Sequence, residues 1–188
     1  AIRQLETIGL LEARHGLGTF VKDPSNEMIQ AAFISHLLPD QDTLNKLFDL
    51  REIIEVEAAA RAAQNANPPQ ISAMRKWMET VEMCIAREDA TGTIIADVEF
   101  HRQIIIATGN DILVNLMDSI VNLLRDMRSD SMIIPDLLPK IISGHRSILA
   151  AIEAGDSGAA RQAMREHLAE ISQRVKAYWQ TQNMDTEL

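Results

Sequence analysis

Residues 97–110 read DVEFHRQIIIATGN, an apolar helical run that ends on a glycine. At 3.6 residues per turn, Asp97, His101, Ile104 and Thr108 share one face. That face carries the isoleucines of a core, so it is predicted to be buried, and it takes a carboxylate and an imidazole inward with it. The spacing predicts a helix over about Thr93–Ala107. Gly109, able to adopt φ > 0, ends it, and Asn110 is placed to cap the next one.

The same pattern repeats on both sides. Leu47, Leu50, Ile54, Ala58 and Ala62 line one side of a helix over Leu44–Ala66. It stops at Asn67-Pro68-Pro69, where asparagine can cap and proline suits a first turn. A second helix is expected over about Gln70–Arg87. The fourth runs from Asp111 to about Met127, and residues 129–139, with Pro135 and Pro139, form a connection. A fifth helix reaches Ala154. Gly155-Asp156 repeats the stop-and-cap signal, and a long sixth helix runs from Ser157 to about Gln180. Earlier, the linker KDPSNE precedes helical spacing over Met28–Leu38, broken at Pro39-Asp40.

The chain has 188 residues, 46% hydrophobic and only 4% aromatic, with helix formers dominant over strand formers. The fold class expected is all-α, an antiparallel bundle of six or seven helices. No run approaches the ~18 apolar residues of a membrane span, and AIRQLETIG has no signal-peptide core. A soluble, cytoplasmic protein with no membrane partner is expected. The single cysteine, Cys84, excludes an internal disulfide framework and a multi-cysteine zinc module, and reads as a small buried hydrophobe.

The net charge of −9 argues against a chain that coats nucleic acid by bulk electrostatics. The first 22 residues nevertheless carry a net +1 and the remaining 166 carry −10. In that first segment, Ile2, Leu5 and Ile8 have helical spacing up to Gly9. Leu10–Arg14 and Thr19–Val21 then read as strands about His15-Gly16-Leu17-Gly18. A helix followed by a hairpin is the tail of a winged-helix unit. The chain starts without Met inside a helix, so further residues upstream are expected.

Three of the five histidines fall on core-facing stripes of the bundle. His101 is joined by His145, on the face of Ile141, Ile148, Leu149 and Ile152, and by His167, on the face of Ala160, Ala163, Met164, Ile171 and Val175. A lone buried histidine is ordinarily satisfied by a core hydrogen bond. Three of them with an i, i+4 carboxylate are harder to place, since each unpaired polar group costs roughly 1–3 kcal/mol. A divalent metal resolves that cost, and imidazole nitrogens with one carboxylate oxygen suit zinc, nickel, manganese or iron. Such a site requires that helices three, five and six converge.

These residues also carry a resemblance. RQLETIGLLEARHGLGTFV (3–21) resembles the end of the winged helix-turn-helix of GntR-type bacterial transcription regulators. DLREIIEVEAAARAA (49–63), DVEFHRQIIIATGN and HRSILAAIEAGDSGAARQAMREHL (145–168) resemble the FCD effector-binding domain of the FadR subfamily. The resemblance implies a truncated winged helix over 1–22, a linker and linking helix over 23–40, and an FCD domain over 41–182. It implies metal ligands at Asp97, His101, His145 and His167, with zinc the foremost metal and nickel or manganese as alternatives.

It further implies an effector-binding arginine at Arg51, whose other reading is a surface pair with Glu55 at i+4. In ILVNLMDSIVNLL (112–124), Asn115, Ser119 and Asn122 form a polar stripe that either lines the cavity or faces water, with Asn115 and Ser119 the candidates for effector contact. Arg3, His15 and Gly16 are implied as DNA contacts. The function expected is a homodimeric transcription regulator, not an enzyme. Its helical domain would bind a divalent metal and a small organic acid, a sugar acid or hydroxy acid, that modulates operator binding. The alternative is a metal-dependent hydrolase using the same Asp/His/His/His set, although no glutamate or further histidine is evidently placed as its general base. A purely structural metal is the third reading.

Overall fold

The computed structural model describes residues 11–14, 18–21, 41–123, 134 and 136–185. The chain divides into two units, 1–40 and 41–188, and each is considered by itself. In the first, β1 (Leu11–Arg14) pairs antiparallel with β2 (Gly18–Val21), in the register Leu11 to Val21 through Arg14 to Gly18. Gly18 sits at φ +105°, a conformation that suits glycine. Both strands fall within one residue of where the sequence puts them. Arg3, His15, Gly16 and the helix expected over 28–38 lie outside the described residues.

The second unit is a helical bundle: α1 (Gln41–Asn65), α2 (Pro68–Ala86), α3 (Ala90–Ile106), α4 (Asp111–Leu123), α5 (Leu137–Glu153) and α6 (Ser157–Asp185). Links of two to four residues join α1–α2, α2–α3, α3–α4 and α5–α6, which leaves successive helices antiparallel. Local chemistry sets each boundary. Asn67 caps α2 by accepting from Gln70 N at 3.0 Å, and the Gln70 side chain accepts from Asn67 N at 2.9 Å. With Pro68 and Pro69 in the first turn, α2 starts two residues before the expected Gln70. Asp89 accepts from Gly92 N at 2.8 Å and starts α3 at Ala90, three residues before Thr93.

Gly109 and Gly155 take φ near +70°, and the following Asn110 and Asp156 accept from Ile112 N and Ala159 N. Both stop-and-cap signals thus act as read. Asn67→Ala removes the side-chain acceptor of the α2 capping box and leaves the backbone N–H of residue 67 to donate to Gln70. It is expected to cost about 1 kcal/mol in urea unfolding, and an unchanged midpoint would show that the prolines alone fix the turn.

α1 packs against α3, α4, α5 and α6, α2 bridges α3 and α5, and α5 lies along α6. The alanines Ala58, Ala59 and Ala62 are buried and let other helices approach α1 closely. Phe100, Ile104, Ile105, Ile120, Ile148, Ile152 and Met164 fill the core around them. No helix among the described residues is long and apolar enough to cross a membrane.

Candidate metal centre

Four helices deliver polar side chains to one buried place. α3 brings Asp97 and His101, α5 brings His145, α6 brings His167, and α1 brings Arg51 and Glu55. The three histidines are at most 5% exposed, as is Arg51, and Glu55 has no exposure. The convergence required by the sequence pattern is therefore present in the fold.

The ring nitrogens gather closely. His145 Nε2 lies 3.2 Å from His101 Nε2 and 3.3 Å from Asp97 Oδ1, and His101 Nε2 lies 3.9 Å from the same oxygen. One donor atom from each histidine falls within 4.8 Å of the other two. Ligands ~2.0–2.1 Å from a shared ion at tetrahedral angles stand roughly 3.3 Å apart. The separations among His101, His145 and Asp97 are near that scale and His167 lies within 4.8 Å of the other two rings, a donor set that fits a divalent cation.

Electrostatics keep the rings in the form that a metal needs. Burial, opposed in part by Asp97, pushes His145 below its ordinary value. Burial together with the charges of His145 and His101 pushes His167 well below. Both are neutral at pH 7 and have lone pairs to offer. Nδ1 of His145 and of His167 meets no hydrogen-bond partner among the described residues, so core hydrogen bonding leaves a nitrogen of each ring unsatisfied.

Packing holds them in place. The Phe100 ring stacks on His145 at 4.2 Å between centroids. Gly144 on α5 leaves room for His167: a Cβ there would stand 2.2 Å from His167 Nδ1. Gly144→Ala should therefore displace that ring and cost about 1–3 kcal/mol. Urea unfolding would read it, with Gly158→Ala, whose Cβ would come no closer than 3.4 Å to Asp156, as control. A cost no larger than the control's would show that His167 moves aside freely.

Arg51 proves to be both buried and paired. Its Nε donates to Glu55 Oε1 at 2.6 Å and Nη2 lies 3.4 Å from Oε2. Glu55 also reaches the centre, with Oε2 2.5 Å from His101 Nδ1, close in distance but without hydrogen-bond alignment. Burial alone would raise the Glu55 carboxyl; Arg51, and after it His101, outweigh that and hold it well below the usual carboxylate range. Arg51 is raised, because its charge and hydrogen-bond interactions with Glu55 outweigh its own burial.

Glu55 escaped the sequence reading as a site residue, although it shares the face of Arg51, Ala58, Ala59 and Ala62. That four-residue spacing was its available signal. On α4, Ser119 is buried and donates to the Asn115 carbonyl at 2.9 Å, so the polar stripe does not simply face water; Asn115 is half-buried.

The FCD domain family matches residues 46–170, a span that includes every residue of this centre. The regulator LutR of Bacillus subtilis is 24% identical over 185 residues, covering 96% of this chain and 84% of its own. The putative L-lactate dehydrogenase operon regulatory protein of Escherichia coli is 27% identical, covering 95% and 70%. Among solved structures, Streptococcus agalactiae GntR superposes with a TM-score of 0.66 at 27% identity, over 92% of this chain and 78% of that one. E. coli McbR/YncC reaches 0.68 at 15% identity, over 95% and 78%, and speaks to the fold alone. The relatives by sequence are named as regulators, which sets the hydrolase alternative aside. By the match across its bundle, this chain belongs to the FCD-domain family of GntR-type transcription regulators.

Proposed function

We propose that the protein is a cytoplasmic, homodimeric, ligand-responsive regulator of operator DNA. Its helical domain holds one divalent metal on Asp97, His101, His145 and His167, and takes a small organic acid beside it. The observation that carries this reading is the convergence of three buried imidazoles, one nitrogen of each within 4.8 Å of the others, with Asp97 Oδ1 3.3 Å from His145 and 3.9 Å from His101. Zinc suits the donor set best, with nickel and manganese as alternatives.

When bound, the metal supplies a fixed positive charge for an anionic oxygen. The protein's own residues do the rest. Burial keeps His145 and His167 neutral, and Phe100 and Gly144 hold their rings. Arg51 offers a second positive group, shared with Glu55, for a charge-assisted contact to a carboxylate. Ser119 and Asn115 are the candidates to meet the remaining polar atoms of the ligand. A relative named for an L-lactate dehydrogenase operon supports a hydroxy acid as the class.

Such a ligand alters DNA affinity only through differential binding to two dimer geometries. Arg3, His15 and Gly16 are the proposed DNA contacts. Calorimetry of the metal-loaded protein against L-lactate and a panel of sugar acids tests the reading, alongside operator binding with and without each acid. Saturable binding that requires metal and shifts operator affinity is expected. No binding by any acid, with operator affinity unmoved, would refute it.

A further inference from the structure

We infer that Glu55 is a positioning residue for the metal centre: its carboxylate fixes the His101 ring with Nδ1 as the protonated nitrogen and Nε2 as the metal-facing one. The inference rests on the metal reading above and adds a residue outside its ligand set. His101 Nδ1 faces Glu55 Oε2 at 2.5 Å, while Nε2 on the opposite edge faces Asp97 and His145. A carboxylate this close to the first nitrogen favours the tautomer protonated there and leaves the second nitrogen to face the ligand atoms.

Arg51 does the same for Glu55. Two contacts from its guanidinium hold both carboxylate oxygens. α1 thus contributes a fourth wall to a centre whose ligands come from α3, α5 and α6. The pair Arg51 and Glu55 has no net charge, so its removal changes ring orientation more than the field at the site.

That property shapes the test. Arg51→Met with Glu55→Met removes both buried charges together and leaves neither stranded. Cobalt(II) affinity is measured by chelator competition, and the visible d–d spectrum reports the ligand geometry. The protonated nitrogen of His101 is read separately by 15N NMR in metal-free protein.

The expected result is a cobalt affinity about 10–100-fold weaker in the double variant, an altered spectrum, and loss of the single Nδ1–H tautomer seen in the parent. Equal affinity and spectrum would overturn the positioning role. If the parent protein bound no cobalt, the metal reading would fall instead, and the NMR arm alone would judge the Glu55 contact. A His101 tautomer unchanged by the substitutions would refute it. Should the double variant fail to fold, Glu55→Gln, which keeps the volume and Arg51, carries the same three measurements.

Discussion

Glu55→Ala is expected to destabilise the helical domain by about 3–5 kcal/mol, on the order of 10 °C in melting temperature for ~150 residues. The reason is the partner left behind. Arg51 is 5% exposed, and Glu55 accepts its Nε at 2.6 Å; without that carboxylate a guanidinium would remain buried and uncompensated. Removing both charges, with Met at 51 and 55, should cost far less, because well-packed apolar groups replace a buried pair at nearly no net loss. Urea unfolding of the parent, the single variant and the double variant checks this. A single variant as stable as the double would show that water reaches Arg51.

His145→Ala is expected to abolish stoichiometric metal retention and, with it, the stabilisation that metal confers. A ligand present at 100 times its dissociation constant adds about 2.7 kcal/mol, roughly 5–10 °C here. Chelator should lower the melting temperature of the parent by that amount and leave the variant unmoved. His145 is the decisive choice because its Nε2 is close to both His101 Nε2 and Asp97 Oδ1.

Acid should act in the same direction as chelator. His145 and His167 are held below their ordinary 6.5 in the fold, so below that pH the unfolded chain takes up protons that the folded one refuses. Metal-free protein therefore loses stability as pH falls below about 6.5. A melting temperature flat from pH 7.5 to 5.5 in metal-free protein would contradict the buried neutral rings.

The parts of this account that were legible in the sequence are those decided locally or by helical period. Gly109-Asn110 and Gly155-Asp156 end and restart helices through backbone conformation and a side-chain cap, interactions within four residues. His101, His145 and His167 fall on core faces because the isoleucines, leucines and alanines three and four residues away do.

Glu55 was not legible in this way. An acid four residues after an arginine is normally a solvated pair, and only the approach of α3 over α1 turns it into a buried contact to His101. Gly144 is similar, since nothing near it in sequence says that the His167 ring will lie against it. Phe100 reads as ordinary core, and its stacking on His145 depends on where α5 crosses α3. Ser119 is buried because α4 packs on α1 and α3, which the polar stripe alone did not decide.

The most direct test of the centre is metal analysis of the protein purified without chelators and without a metal-affinity column. The account predicts about one divalent ion per chain, held through gel filtration and absent from His145→Ala. A parent protein that carries no metal, takes up no zinc, nickel or manganese in titration, and melts at the same temperature with and without chelator would contradict it.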